Sequence, residues 1–207
     1  MATKRTLAFL CLLAVFAHSC QVVQTKNCST QLVDDLKANL KVAVECNINP
    51  EQKAGLLVHM RSLTQMLHTN QLQECKGAEP VNCTQPEVPQ NGGLACATVA
   101  QKRFCKPLCN HGYDFAFLRR SRVFEECSAS TGFKWSTQYI GGNKLAVCSE
   151  SNLQVSGVKT AYFAEDADCL NTKRRGQRNS SILQDFVTEL KKHSGVDEVQ
   201  SSCLLCG

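Results

Sequence analysis

Fourteen cysteines in a chain of 207 residues are the feature that most constrains its fold. Such a density is typical of exported proteins, in which disulfides replace part of a hydrophobic core. Hydrophobic residues make up 43% of the chain and charged residues 20%, which excludes wholesale disorder. The net charge of +5 is mild for this length and does not indicate a dedicated nucleic-acid binder.

The N-terminus, residues 1–20, has the layout of a secretory signal peptide. Lys4 and Arg5 precede an apolar run over 7–17 that is too short to span a bilayer, and small residues follow it. Cleavage after Ser19 would retain Cys20 and leave 13 cysteines, whereas cleavage after Cys20 would leave 12. An odd cysteine in an exported chain indicates an intermolecular bridge, so retention of Cys20 would favour a disulfide-linked dimer. We expect a secreted, extracellular protein with no transmembrane segment after signal removal.

Three sequons agree with export and predict a glycoprotein. They begin at Asn27, Asn82 and Asn179. The first two have cysteine in the middle position, where we expect less reliable modification.

Residues 21–82 are neutral in net charge and predict a helical hairpin. One apolar stripe at helical spacing comprises Leu32, Val33, Leu36, Leu40, Ala43 and Val44, and a second comprises Leu56, Leu57, Met60, Leu63 and Leu67. Ser29 or Thr30 can cap the start of the first helix, and Asn49-Pro50-Glu51 is a helix-start signal between the two stripes. An antiparallel hairpin would place Cys28 beside Cys75, so we expect these two to pair and Cys46 to find a distant partner. The stripes are expected to be core.

Residues 149–207 predict a C-terminal α/β extension made of a strand and a helix, linked by disulfides. An extended stretch is expected over 158–163, and a helix over 182–190 that ends before Gly195. The terminal Cys203-Leu204-Leu205-Cys206 matches a CxxC redox motif, but it lacks a thioredoxin-like βαβ context, which favours structural bridges. Cys46 and Cys169 are the expected partners of Cys203 and Cys206, in either order.

A basic run lies in the linker of this extension. Lys173, Arg174 and Arg175 form a sequence that a secretory protease could cut. An exposed charged loop is the simpler interpretation. A disulfide from Cys169 to Cys203 or Cys206 would keep both pieces joined after cutting.

The middle segment, residues 83–148, carries a charge of +4 and the highest density of cysteines. Its turn-rich sequence predicts short β-strands around a small core. The segment resembles a sushi module, also called a complement control protein (CCP) module. The residues that carry the resemblance are Cys83, Pro86, Asn91-Gly92, Cys109, Asn110-His111-Gly112-Tyr113, Cys127, Gly132, Trp135 and Cys148.

The resemblance implies two bridges, Cys83–Cys127 and Cys109–Cys148, with Tyr113 and Trp135 in the core of the module. Two residues separate Gly132 from Trp135 where that family commonly has one, and the interval to Cys148 is long. The additional Cys96 and Cys105 would close a small loop if they pair. The expected fold class is therefore α+β, with a small all-β sushi-like module between a helical hairpin and the C-terminal extension.

Sushi modules serve as extracellular binding units, so the resemblance implies recognition and not catalysis. The sequence has no esterase, zinc-protease or phosphate-loop motif, and we expect no enzyme activity, metal or cofactor. A cluster of cations in the module would suit a sulfated glycan or an acidic extracellular protein if it lay on one face; it comprises Lys102, Arg103, Lys106, Arg119, Arg120 and Arg122. A solvated charged face, a processed secretory precursor and a small secreted protease inhibitor are the alternatives.

Overall fold

The computed structural model describes residues 29–75, 77, 80–137, 140–174, 181–195 and 198–207. Within these residues the chain is α+β. Its helices are α1 (Thr30–Glu45), α2 (Pro50–Leu72), α3 (Cys169–Arg174) and α4 (Ser181–Ser194). Its strands are β1 (Gly92–Val99), β2 (Lys102–Cys109), β3 (Tyr113–Phe115), β4 (Glu125–Cys127), β5 (Cys148–Glu150) and β6 (Ser201–Cys206). The predicted signal peptide, Cys20, Asn27, Cys28, Arg175 and Asn179 lie outside the described residues.

The N-terminal helices begin where the sequence predicts. Ser29 caps α1 by accepting a hydrogen bond from the Leu32 amide at 3.2 Å. Asn49 and Gln52 form a reciprocal cap at the start of α2, because each side chain accepts from the other residue's amide. Neither helix contains a buried residue, however, so the expectation that their apolar stripes form core is wrong. Caps and local spacing suffice to form a helix, but burial requires a partner surface.

The chain divides into two compact units. The first ends at Val58, and the second runs from His59 to Gly207. The second unit contains a four-stranded antiparallel sheet in the order β4-β2-β1-β6 and a two-stranded sheet of β3 and β5. Strand β6 comes from the C-terminal extension and pairs with β1 from Gly93–Cys206 to Thr98–Ser201. The predicted boundary at residue 148 therefore does not separate two sheets, because the last strand completes the sheet of the middle segment.

The β1–β2 hairpin turns through Ala100 and Gln101. Both residues have positive φ, 46° and 62°, as a two-residue turn that matches the strand twist requires. Strand β1 begins with Gly92 and Gly93 because neighbouring atoms leave no space for a side chain at these positions. A Cβ on Gly92 would lie 2.2 Å from the Leu108 carbonyl oxygen, and one on Gly93 would lie 2.6 Å from the Cys169 sulfur.

The core lies on both faces of this sheet. On one face α4 packs through Leu183, Phe186 and Leu190, which are at most 4% exposed. On the other face a second cluster gathers disulfide sulfurs around Leu94, Leu145 and Leu205. The stretch over 158–163 was expected to be extended, but Lys159–Ala161 forms a short 3-10 helix. The strand of the C-terminal extension is β6 instead.

Five disulfides link cysteines of the described residues. Cys83–Cys127, Cys109–Cys148 and Cys96–Cys105 are the pairs expected from the resemblance and from spacing. The other two are Cys75–Cys203 and Cys169–Cys206. The expected Cys28–Cys75 pair is therefore wrong. The reason is that the end of α2 lies against β6, where the Gln71 amide nitrogen donates to the Cys206 carbonyl oxygen at 2.8 Å.

Cys46 is exposed and has no disulfide partner among the described residues. The expectation that it bonds to Cys203 or Cys206 is wrong, since both are taken. None of the helices in the described part of the chain is long and apolar enough to cross a membrane.

Candidate functional site

The six cations considered as a possible ligand-binding face do not form a surface patch. Arg103, Lys106 and Arg119 are buried, at 3%, 1% and 9% exposure. Lys102 is exposed and pairs with Glu126 at 3.4 Å. Sequence spacing placed these residues together, but β2 is an inner strand whose two faces are both covered. On this strand Arg103 and Lys106 therefore point into the core and need internal partners, whereas Lys102 at its start is exposed.

Lys106 joins β2 to α4 through a buried ion pair. Its Nζ donates to Glu189 Oε2 at 2.5 Å and to Thr160 Oγ1 at 2.9 Å. Burial lowers the pKa of Lys106, although the hydrogen bond and charge of Glu189 oppose this shift. The ammonium group therefore binds partners in the interior and is not accessible to a ligand.

Glu125 forms ion pairs with two arginines that follow β3. This fully buried carboxylate accepts from Arg119 Nη2 at 2.8 Å and lies 3.4 Å from Arg122 Nη2. Ser136 Oγ also donates to it, at 2.9 Å. Arg119 lies over the Phe115 ring, 5.8 Å from its centroid. Both arginines are therefore structural cations.

Arg120 is the remaining member of the expected patch, and it lines a surface cleft. The cleft has a volume of about 630 Å³. His111 and Lys159 line it too, and the three form what we call the basic cleft. All three are exposed, and none makes an ion pair with a described residue. Glu165 is the acidic residue of the lining.

A hydrogen-bonded network lies at the base of the basic cleft. The Tyr162 hydroxyl donates to Asp114 Oδ1 at 2.5 Å and accepts from the Gly157 amide at 2.6 Å. Asp114 also accepts from the amides of Val155 and Ser156. Burial and the bond to Asp114 raise the pKa of Tyr162 to about 12. These bonds fix the turn that carries Lys159.

The Asp114 carboxylate is charged despite being buried. Burial by itself raises the pKa of Asp114, but the hydrogen bonds donated by Tyr162, Ser156, Val155 and Phe115 outweigh burial and hold it below its ordinary value. An ionised carboxylate that accepts several bonds is a strong local anchor.

The other predicted site residues have structural surroundings. Trp135 is 6% exposed and donates from Nε1 to the Thr84 carbonyl at 2.9 Å, while Tyr113 packs partly buried near the Cys109–Cys148 bridge. Lys173 pairs with Glu74 at 2.7 Å, and Arg174 is exposed. Asn82 is exposed, and its glycosylation stays a prediction.

Sequence reasoning missed the positions of His111 and Lys159 in the cleft and the acceptor role of Asp114. His111 precedes β3, Asp114 lies on β3 and Lys159 begins a short 3-10 helix, and no periodicity or motif joins them. The described residues contain no group of three or more histidine, cysteine or acidic side chains that could hold a metal ion. Comparison with known proteins found no family, no curated protein and no solved structure that matches this chain.

Proposed function

We propose that this chain is a secreted, non-catalytic recognition protein that binds a sulfated extracellular glycan in the basic cleft. Export is inferred from the signal-like N-terminus and agrees with five disulfides among the described cysteines. The ligand class is inferred from charge. A sulfate ester carries the negative charge and the acceptor oxygens that guanidinium and ammonium groups bind.

The observation that carries this proposal is the convergence of His111, Arg120 and Lys159 on one open volume. Arg120 and Lys159 make no ion pair with a described residue, unlike Arg119, Arg122 and Lys106, and His111 adds a ring N–H donor. A cleft of about 630 Å³ lies within the size range of small-ligand sites. The hydrogen bonds of Asp114 and Tyr162 hold the backbone on both sides of Lys159, which limits the movement of this part of the cleft wall.

We interpret residues 83–148 as a sushi-like unit extended by the C-terminal segment. The bridges Cys83–Cys127 and Cys109–Cys148 support this interpretation, as does the burial of Trp135. His111 and Arg120 belong to this unit and Lys159 to the extension. Binding without catalysis follows from the resemblance, and the extension would supply part of the ligand site.

The proposal is tested by titrating the secreted chain with a heparin-derived tetrasaccharide in calorimetry. The Arg120→Gln and Lys159→Gln double variant should bind at least about tenfold more weakly, because each lost charge-assisted hydrogen bond contributes about 1.5–3 kcal/mol. Lys192→Gln, on the exposed last turn of α4, is the matched control and should bind like the wild type.

Sulfate-specific binding should also disappear with a chemically desulfated tetrasaccharide and weaken as salt screens the exposed charges. Equal affinity of the double variant and the Lys192→Gln control would overturn the proposal. So would the absence of binding by the wild-type chain at low ionic strength.

A further inference from the structure

Arg103 is a buried cation without a carboxylate partner in the described part of the chain. Its Nη1 donates to Thr98 Oγ1 at 3.2 Å, and its Nε has no hydrogen-bond partner there. Burial lowers the pKa of Arg103 to about 10. By contrast, the buried Lys106 and Arg119 each contact a glutamate. An uncompensated buried charge is costly, so its surroundings require an explanation.

The remaining polar neighbour of Arg103 is a sulfur atom. Nη2 lies 3.7 Å from Cys203 Sγ, which is bonded to Cys75. A sulfur in a disulfide is neutral and only a weak acceptor. A thiolate at Cys203 would place a full negative charge beside the guanidinium. The site is therefore electrostatically better matched to the reduced form of this bond than to the oxidised form.

We propose that Cys75–Cys203 is a reducible redox site in which Arg103 stabilises the Cys203 thiolate as the leaving group. A dithiol reductant attacks Cys75 Sγ through one thiolate, the Cys75–Cys203 bond breaks, and its electron pair stays on Cys203. The second thiol of the reductant then displaces Cys75. In sum, the reductant R(SH)₂ and the protein disulfide give the cyclic disulfide RS₂, one Cys75 thiol, one Cys203 thiolate and one proton.

The geometry sets the direction of attack. Cys75 is 6% exposed and ends the 3-10 turn after α2, whereas Cys203 is 2% exposed within β6. Attack at Cys75 is also the direction that leaves the electron pair on Cys203, beside Arg103. Thiol–disulfide exchange is faster when the leaving thiol has the lower pKa, which is the condition that a neighbouring guanidinium creates at Cys203.

The chain contains a matched internal control in Cys169–Cys206. Its two cysteines are buried to nearly the same extent as Cys75 and Cys203, at 2% and 7% exposure, and Cys206 lies on the same strand as Cys203. Cys169 Sγ lies 3.6 Å from the Leu205 carbonyl oxygen, a neutral acceptor, whereas Cys203 Sγ has a guanidinium group beside it. A difference in reactivity between the two bonds thus isolates the effect of Arg103.

The test treats the native chain with dithiothreitol at neutral pH, quenches with acid, and follows each bond by differential alkylation and mass spectrometry. Cys75–Cys203 should open at least about tenfold faster than Cys169–Cys206, which corresponds to a leaving-group effect of about one to two pKa units. Arg103→Met should slow the opening of Cys75–Cys203 and leave Cys169–Cys206 unchanged, and Arg103→Lys should restore part of the rate.

Equal rates for the two bonds in the wild-type chain would overturn the proposal, as would an Arg103→Met variant that opens both bonds faster. A second measurement needs no variant. After selective reduction, the rate of Cys203 alkylation by iodoacetamide is measured against pH. Its midpoint should lie below about 8.5, the ordinary cysteine value; a midpoint at or above that value contradicts a role for Arg103.

Discussion

Individual buried charges contribute more to the packing and stability of this protein than its surface charges do. Lys106, Arg119 and Glu125 are almost completely enclosed, and each has an opposite charge within 2.8 Å. Such groups contribute little when exposed but are costly to leave alone inside the protein. A sequence lists them only as charged residues. Whether a charge faces water or the core depends on which strands flank its own.

Glu125→Gln provides the test at this scale. The substitution leaves Arg119 and Arg122 without their shared anion, so we expect the free energy of unfolding to fall by about 3–5 kcal/mol in urea denaturation. The neighbouring Glu126→Gln is the matched control. Its pair with Lys102 is partly exposed, and it should cost at most about 1 kcal/mol. Equal losses for the two variants would contradict the buried-charge argument.

Connections between elements depend on a small number of polar contacts. Asp114 on β3 holds the turn over 155–157 and the Tyr162 hydroxyl, and Lys106 on β2 holds Glu189 on α4. These contacts cross between segments that are distant in sequence. The contacts of Asp114 hold the backbone on both sides of Lys159, and those of Lys106 hold α4 against β2.

Asp114→Asn tests the first of these connections through pH. The pKa of Asp114 is lowered in the folded state, so its stabilising effect is complete above the ordinary value near 3.8 and is lost as pH falls through the folded-state value. At pH 6 the free energy of unfolding of the wild type should exceed that of the variant by about 2 kcal/mol. This difference in stability should narrow between about pH 4 and pH 2. A gap that is constant with pH in urea denaturation would exclude a charged Asp114.

The molecule as a whole is organised by its crosslinks. Cys75–Cys203 spans 128 residues of sequence and ties the end of α2 to the C-terminal strand. Cys169–Cys206 ties α3 to the same strand. Both bonds end on β6, and the pairing of β6 with β1 connects them to the sheet of the middle segment. The predicted segments from 83 onward thus share one unit.

Peptide mapping of the unreduced chain tests this organisation. Digestion and mass spectrometry should recover Cys75 linked to Cys203 and Cys169 linked to Cys206, and alkylation of the native chain should label Cys46. Recovery of a Cys28–Cys75 peptide would contradict the structure and restore the pairing that the helical-hairpin prediction favours.

The sequence by itself determined the local features of this protein. It located both N-terminal helices through Asn49 and the residues before α1, and the helix before Gly195, because caps and helical periodicity act over a few neighbouring residues. It also predicted the Cys96–Cys105 pair from spacing and two further bridges by resemblance. The basic cleft was not predicted, apart from Arg120.

Only the tertiary structure decided the partners of Cys75, Cys203 and Cys206, the burial of Arg103 and Lys106, and the place of Lys159 beside Arg120. The disulfide partners and the sulfur neighbour of Arg103 depend on β6 pairing with β1, and the burial of Lys106 depends on the packing of α4. Strand pairing over that separation leaves no periodic trace in the sequence, because its hydrogen bonds involve backbone groups that every residue shares.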